Sequence, residues 1–253
     1  MDLGLSGKKA VITGATRGIG RAIANLLADE GVDLAICSRN QAEVDSAVAE
    51  LGKKGVSVTG AVVDVADKNA YQAWITEAGE TLGGIDIFIP NVSAGGGNMS
   101  EEGWENNFNV DLLGTTRGIE AAMPFLEKSD AGSIVVISST AGVETFMGPQ
   151  PYNAIKGALV IHAKQLSQAL APQGIRVNCV SPGPVYIEGG AWEFIKHNMA
   201  ELYDSTLAAI PRGSMGSAEE VANAVAFLAS PAASLVTGVN LVADGGFTKR
   251  VQL

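Results

Sequence analysis

Short apolar runs alternate with stretches of helical periodicity along the whole chain. The runs at 9–13, 33–38, 57–63, 86–90, 133–138, 175–180 and 239–242 have strand length and are rich in Val, Ile and Ala. They are near-continuous instead of alternating, the pattern of strands buried on both faces of a parallel sheet. The stretches at 19–30, 41–51, 67–82, 101–126, 151–171 and 218–229 repeat their apolar positions at helical spacing. Gly52 ends the second of these, and Gly103 and Gly114 lie inside the long fourth one. Repeated strand–helix–strand units predict an α/β fold, a doubly wound parallel sheet with helices on both faces. No low-complexity linker or long-period repeat divides the chain, so one domain is expected over 1–253.

Two stretches break the alternation. Residues 93–100 are glycine-rich, and 182–217 form a long segment holding Pro, Gly and aromatic residues. Both leave from carboxyl ends of strands, where ligands bind in sheets of this kind, and long excursions in a compact domain tend to be functional.

Composition narrows the possibilities. At 253 residues, 47% hydrophobic and 17% charged, the chain can bury a core and is not a disordered polymer. A net charge of −10 with no basic block argues against nucleic acid as a partner. The longest apolar runs, such as Ile134-Val135-Val136-Ile137, fall far short of the roughly 18 residues of a membrane span. The start, Met1-Asp2-Leu3-Gly4-Leu5-Ser6-Gly7-Lys8-Lys9, lacks the order of a signal peptide, so a cytoplasmic location is expected. His162 and His197 have no metal-ligand spacing, and no metal site is expected; one is read as semi-buried and the other as a surface residue.

The segment Thr13-Gly14-Ala15-Thr16-Arg17-Gly18-Ile19-Gly20 follows the first strand and opens the first helix. Glycines there permit a tight turn and close approach to a pyrophosphate, and the helix start supplies free N–H groups. The second strand ends in Ser38-Arg39, with no acid to accept from an adenosine ribose hydroxyl. Arg39, with Arg17 from the glycine turn, suits a 2′-phosphate by charge and forked geometry, which favours NADP(H) over NAD. Asp64-Val65 ends the third strand, where a carboxylate can accept from the adenine amino group; Asp64 as a cap for the next helix reads equally well.

Tyr152-Asn153-Ala154-Ile155-Lys156 places Tyr and Lys four residues apart near a helix start, on one face. A lysine ammonium near a phenol favours the phenolate, and such a Tyr can give a proton to a carbonyl oxygen as hydride arrives. Ser138-Ser139 ends the preceding strand and offers a hydroxyl to the same oxygen.

With these motifs the chain resembles the short-chain dehydrogenase/reductase family, in its single-domain type of about 250 residues, over essentially its whole length. The glycine turn matches the family's cofactor turn, and Tyr152-x-x-x-Lys156 its active-site pair. The family's Ser-to-Tyr spacing selects Ser139 over Ser138. Asn178-Cys179-Val180-Ser181-Pro182-Gly183-Pro184-Val185 resembles the segment that contacts the nicotinamide amide, and 239–246 the closing strand and turn.

The resemblance implies a Rossmann-type sheet of seven strands in the order 3-2-1-4-5-6-7. It also implies hydride transfer between a nicotinamide cofactor and an alcohol/ketone pair, and a homotetramer. It makes Tyr152 the general acid/base, Ser139 the group that orients the reacting oxygen, and Lys156 the residue that tunes Tyr152 and holds the ribose. It assigns Gly14, Thr16, Arg17, Gly18, Ile19 and Gly20 to the cofactor phosphates, Ser38 and Arg39 to the 2′-phosphate, and Asp64 and Val65 to the adenine. Asn91, Pro182, Gly183, Val185 and Ile187 fall to the nicotinamide side. In that sheet order Cys37 and Cys179 lie on strands that are not neighbours, so both read as packing thiols of a reducing compartment.

Three departures stand out. The family's Asn-Asn-Ala-Gly is here Pro90-Asn91-Val92-Ser93, keeping only Asn91. The family's fourth active-site residue, an Asn of the long helix, is here Asp111, which the resemblance places in the catalytic set; it can accept from a water linked to Lys156 but not donate unless protonated, and its charge can pair with Lys156. A Thr after the Pro-Gly pair is replaced by Ile187.

The substrate loop at about 186–213 carries Trp192, Ile195, Met199, Leu202 and Tyr203 at helical spacing. These read either as a lid helix packing its apolar face or as an apolar wall for a hydrophobic ketone or secondary alcohol. Gly189-Gly190 offers a hinge, with Phe146 and Met147 on the other side. The leading expectation is an NADP(H)-dependent oxidoreductase acting on a small-molecule ketone or secondary alcohol. The alternatives are a 3-oxoacyl thioester reductase, for which a chain at −10 shows little basic surface, and a catalytically silent nucleotide-binding sensor.

Overall fold

The computed structural model describes residues 2–251. Strands β1 (Lys9–Thr13), β2 (Asp33–Ser38), β3 (Val58–Val62), β4 (Ile87–Ile89), β5 (Ser133–Ile137), β6 (Arg176–Pro182) and β7 (Asn240–Ala243) form one sheet. Every pairing is parallel, in the order β3-β2-β1-β4-β5-β6-β7 implied by the resemblance.

The alternation of side chains across each strand fills two cores. Ala10, Ile12, Leu34 and Ile36 face one side, while Val11, Ala35 and Cys37 face the other. Helices α1 (Gly18–Asp29), α2 (Gln41–Gly52) and α3 (Lys68–Leu82) follow the first three strands. The next two, α4 (Glu101–Asn107) and α5 (Gly114–Leu126), are joined by a π-helical turn at Phe108–Leu113. Then come α6 (Pro151–Leu170), α7 (Ala191–Asn198), α8 (Ala200–Ala209) and α9 (Ala218–Ala229). Residues of α1 and α9 pack on one face of the sheet, and those of α3, α5 and α6 on the other. The inner strands β1, β2, β4, β5 and β6 are buried on both faces and need the continuous apolar runs seen in the sequence, whereas the edge strands β3 and β7 are partly exposed.

Local chemistry sets the helix starts. Asn40 and Asp67 accept backbone N–H bonds at the starts of α2 and α3, Ser217 and Glu220 form a reciprocal cap on α9, and Pro151 opens α6.

Two expectations need revision. The helical stretch at 101–126 is continuous, but its middle is the π turn at Phe108–Leu113, an irregularity common at functional sites. The apolar positions of the substrate loop do not form one lid helix. They divide between α7 and α8, because Met199 leaves helical geometry (φ −142, ψ 54).

Cys37 and Cys179 are free and buried on β2 and β6. Burial pushes both thiols up to about 12. His162 is partly buried and its pKa is lowered by desolvation, whereas His197 is exposed. Among the described residues, no helix is long and apolar enough to cross a membrane.

Gly118 of α5 lies where a Cβ would strike the Tyr71 hydroxyl and come within 2.7 Å of the Phe88 ring. Gly118→Ala therefore overpacks the α3–α5–β4 contact. It is expected to destabilise the fold by about 1–3 kcal/mol, seen as a lower denaturant midpoint at unchanged m-value.

Candidate active site

At the carboxyl end of β1 the chain turns through Gly14 (φ +65) and Gly18 (φ +58) into α1. A Cβ on Gly14 would lie 2.9 Å from Val92, so the position requires glycine for space as well as conformation. The N-cap residue of α1, Arg17, is extended, and no side chain caps the helix start. Its free N–H groups favour an anion.

A cleft of about 590 Å³ opens above this turn. Gly14, Thr16, Arg17 and Gly18 line its floor, with Ser38 and Arg39 from the end of β2, Asp64 and Val65 beyond β3, and Asn91 beyond β4. Ile187 and Glu188 to Ala191 close it from the substrate loop. Five distant stretches of sequence thus meet where the resemblance puts a dinucleotide.

Ile19, Gly20, Tyr152, Lys156, Pro182, Gly183 and Val185, also assigned to the cofactor, do not line this cleft. Ile19 packs against the core. A Cβ on Gly20 would strike the Gly14 carbonyl and come within 2.5 Å of the Asn91 amide, so this glycine serves the packing of the turn. Val185 is buried and bridges to Gly216.

Asn91 fastens β4 to the glycine turn. Its side-chain amide donates to the carbonyls of Thr13 (3.1 Å) and Gly14 (3.2 Å). Its backbone N–H donates to the Thr13 hydroxyl at 2.9 Å. Thr13, which sequence reasoning passed over, is therefore part of the same staple.

At the adenosine end, Arg17 and Arg39 are exposed, and among the described residues neither guanidinium is held in an ion pair. Glu43, also on the cleft wall, accepts from the Thr16 hydroxyl at 2.9 Å. Asp64 accepts from the backbone N–H of Ala66 at 2.9 Å.

The other cluster lies at the end of β5 and the start of α6. The Ser138 hydroxyl is buried and donates to the Lys156 carbonyl at 2.8 Å. Ser139 is half-buried and accepts from the N–H of Ala141 at 3.1 Å. Geometry thus separates the two serines: the first is committed to α6, and the second keeps its hydroxyl hydrogen. A short 3₁₀ turn at Thr140–Gly142 packs on α6 so closely that a Cβ on Gly142 would sit 2.6 Å from the backbone of Lys156 and Gly157.

Lys156 is buried. Its ammonium donates to the Ile137 carbonyl at 3.1 Å and lies 5.6 Å from the centre of the Tyr152 ring. Asp111, on the π turn, places Oδ1 3.1 Å from the same ammonium. That approach lacks hydrogen-bonding angles, so the contact is ionic in character. Burial pulls the Lys156 pKa down, but the Asp111 and Tyr152 charges push it up further, and the net result is a raised value.

The second oxygen of Asp111 accepts from the Ala94 N–H at 2.8 Å, and Asn107 donates to the Gly95 carbonyl at 3.0 Å. Gln150, just before α6, accepts from the Gly97 N–H at 2.8 Å. The glycine-rich loop is therefore stapled to the catalytic region from two sides. Asn107 and Gln150 were not singled out in the sequence; only the i, i+4 spacing of Asn107 and Asp111 signals the first.

The substrate loop is pinched at its base, where Tyr186 N–H donates to the Gly216 carbonyl and Gly216 N–H to the Pro184 carbonyl, each at 2.9 Å. Above it, Phe146 contacts Trp192 (ring centroids 6.2 Å apart) and Phe247 (5.5 Å), and Trp192 contacts Tyr203 (6.5 Å). Edge and tilted contacts of this kind stabilise aromatic clusters. Gly189 has φ +70 and Gly190 caps α7, which places the expected hinge at the entry to the lid.

Comparison with known proteins agrees with this arrangement. The family model described as Enoyl-(Acyl carrier protein) reductase matches residues 14–248. Isoepoxydon dehydrogenase patN of Penicillium expansum is 38% identical over 250 residues, covering 97% of this chain and 96% of that protein. Dehydrogenase/reductase SDR family member 4 of Mus musculus is 37% identical over 254 residues, covering 98% and 89%. The structure of L-sorbose reductase from Gluconobacter frateurii, complexed with NADPH and L-sorbose, superposes with a TM-score of 0.90 at 30% identity, covering 99% of this chain and 100% of that one. An NAD+-bound xylitol dehydrogenase superposes with a TM-score of 0.88 at 26% identity, covering 96% and 99%.

Asn91→Ala removes the donor to the Thr13 and Gly14 carbonyls. The expected cost is about 1–3 kcal/mol in chemical denaturation, together with a higher Kd for the nicotinamide cofactor in a fluorescence titration.

Proposed function

The chain belongs to the short-chain dehydrogenase/reductase family, and from that membership we propose that it transfers hydride reversibly between NADP(H) and a ketone/secondary alcohol pair. The observation that carries this reading is the buried Lys156 ammonium beside Tyr152, with the half-buried Ser139 at the end of the neighbouring strand. The residues around the cleft fit a dinucleotide: an uncapped helix start, a glycine turn that a Cβ would fill, and two unpaired guanidinium groups.

NADPH, when bound, supplies the hydride that goes to the carbonyl carbon. Ser139 donates a hydrogen bond to the carbonyl oxygen and fixes its position. Tyr152 gives its phenolic proton to that oxygen, and takes it back in the oxidative direction. Lys156 stabilises the phenolate left behind and would hold the nicotinamide ribose. Gly14, Thr16, Arg17 and Gly18 would hold the phosphates, with Ile19 and Gly20 completing the turn. Val65 and Asp64 would border the adenine. Pro182, Gly183, Val185 and Ile187 would form the nicotinamide side.

The preference for the phosphorylated cofactor rests on Arg17 and Arg39 at the cleft rim and on the lack of an acid at the end of β2. Glu43, the acid on that wall, is turned toward Thr16. The substrate is read as a ketone with an apolar body, held against the Phe146–Trp192–Tyr203–Phe247 rings. The exposed Trp104, Phe108 and Ile161 offer apolar surface for subunit contact, consistent with a homotetramer. The C-terminal segment from Phe247 to Leu253 offers a second such surface, of which Gln252 and Leu253 lie outside the described residues. The buried free thiols suit a reducing, cytoplasmic setting.

Arg39→Asp is expected to raise the NADPH Kd by about a hundredfold, from lost charge-assisted contacts and added repulsion. An unchanged Kd would mean that NAD is the cofactor. Tyr152→Phe is expected to bind cofactor normally and lose about 10²- to 10⁴-fold in kcat for ketone reduction. Normal turnover in that variant would remove Tyr152 from the mechanism.

A further inference from the structure

Asp111 and Lys156 are the only two charged side chains buried among the described residues, at 1% and 2% exposure, and they lie against each other. Burying an ammonium without a counter-charge is costly enough that the group gives up its proton instead. The groups facing Lys156 come from three elements. The π turn contributes Asp111, its own helix contributes Tyr152, and β6 contributes Cys179. The Cys179 thiol is pushed up to about 12 by burial and stays neutral at working pH. The Ile137 carbonyl contributes a dipole at 3.1 Å but no charge. Asp111 is therefore the source of formal negative charge on the lysine while Tyr152 is a phenol.

The two oxygens of that carboxylate do different work. Oδ2 accepts from the Ala94 N–H at 2.8 Å, on the loop that borders the cofactor cleft. Oδ1 approaches Lys156 without hydrogen-bonding angles to any donor. Hydrogen bonding accounts for the first contact, and charge is the main part of the second: the Asp111 charge is the largest of the causes that raise the lysine. We propose that Asp111 is a positioning residue for the reaction: its carboxylate is the buried counter-ion that keeps Lys156 an ammonium at working pH, and through Ala94 it ties that ammonium to the mouth of the cofactor cleft.

An Asn at this position has the same shape but not the charge. Its carbonyl oxygen can still accept from Ala94, but its NH₂ then faces the ammonium, donor against donor. Desolvation would then act on Lys156 against only the weaker opposition of the Ile137 carbonyl and the Tyr152 oxygen. In the parent chain the Lys156 pKa lies above its ordinary value of 10.5, so the charge persists through neutral and mildly alkaline pH. In Asp111→Asn the charge would be present at low pH and lost as pH rises through a value lowered by about two units or more.

The test uses the full chain and depends on the proposed ketone reduction only for its rate arm. Ketone reduction is followed from pH 6 to 9 in the parent and in Asp111→Asn. Separately, the protonation of Lys156 is read without turnover, from the carbon-13 shift of its labelled ε-carbon, identified by its disappearance in Lys156→Met. The variant is expected to lie within about threefold of the parent kcat at pH 6, and to fall about fourfold further than the parent by pH 9, with little change in KM. Its Lys156 midpoint is expected to drop by about two units or more. A uniform loss at every pH, with an unmoved lysine midpoint, would overturn the proposal and leave Asp111 a role in shape alone. So would a parent Lys156 that loses its proton below pH 9, an observation that does not require the variant to fold. If no ketone is reduced, the functional reading fails, while the lysine titration still decides the role of Asp111.

Discussion

A sheet buried on both faces leaves no room for chemistry except beyond the ends of its strands. Val11 and Ile12 are adjacent on β1 and both are fully buried, one in each core. A charged side chain in the middle of such a strand would face apolar packing on either side, at a cost of several kcal/mol. The polar groups of this molecule accordingly gather where strands stop. Thr13 ends β1, Ser38 ends β2, Asn91 follows β4, and Ser138 and Ser139 follow β5. Parallel pairing brings all of these ends to one edge of the sheet, which turns residues scattered over more than half the chain into one site.

Lys156 is the exception that the rest of the site accommodates. It lies on a helix packed against the sheet, not at a strand end, and its ammonium is buried. The surroundings answer this with a carbonyl at the end of β5 and a carboxylate from the π turn. The π turn matters because it interrupts the regular helical register just where Asp111 must reach inward. Asn107 precedes the turn and bonds the same glycine-rich loop that Asp111 bonds. A single irregular turn thus links the buried charge to the wall of the cofactor cleft. Replacing the pair with apolar residues could well leave a stable fold, so its presence is better explained by the chemistry of the site than by stability.

Much of this was legible in the sequence, for identifiable reasons. The strands announced themselves because both faces are buried, which removes the ambiguity of an alternating pattern. The glycine turn and the Tyr152/Lys156 pair were legible because each depends on spacing within one short segment. What could not be read depends on contacts between segments. The packing reason for a glycine at 20 is one such case: a Cβ there would meet the Gly14 carbonyl and Asn91. The π turn at Phe108–Leu113 leaves no mark in hydrophobic periodicity, since it adds part of a turn within one continuous helix. Asn107 and Gln150 acquire meaning only when the glycine-rich loop is seen folded between them.

The substrate loop shows how periodicity can mislead. Trp192, Ile195, Met199, Leu202 and Tyr203 fit one apolar stripe, yet the chain breaks at Met199. Ile195 is buried, Met199 and Phe194 are exposed, and Trp192 and Tyr203 meet each other across the break. A single straight helix could not fold back in this way, because residues eleven positions apart would lie about 16 Å apart along its axis. The break allows two short helices to turn the rings of Trp192 and Tyr203 toward Phe146 and, through it, toward Phe247 near the end of the chain. The backbone bonds between Tyr186, Gly216 and Pro184 close the base of this excursion. The aromatic cluster then links the two short helices to Phe146, six residues before Tyr152, so that the loop and the start of α6 share one surface.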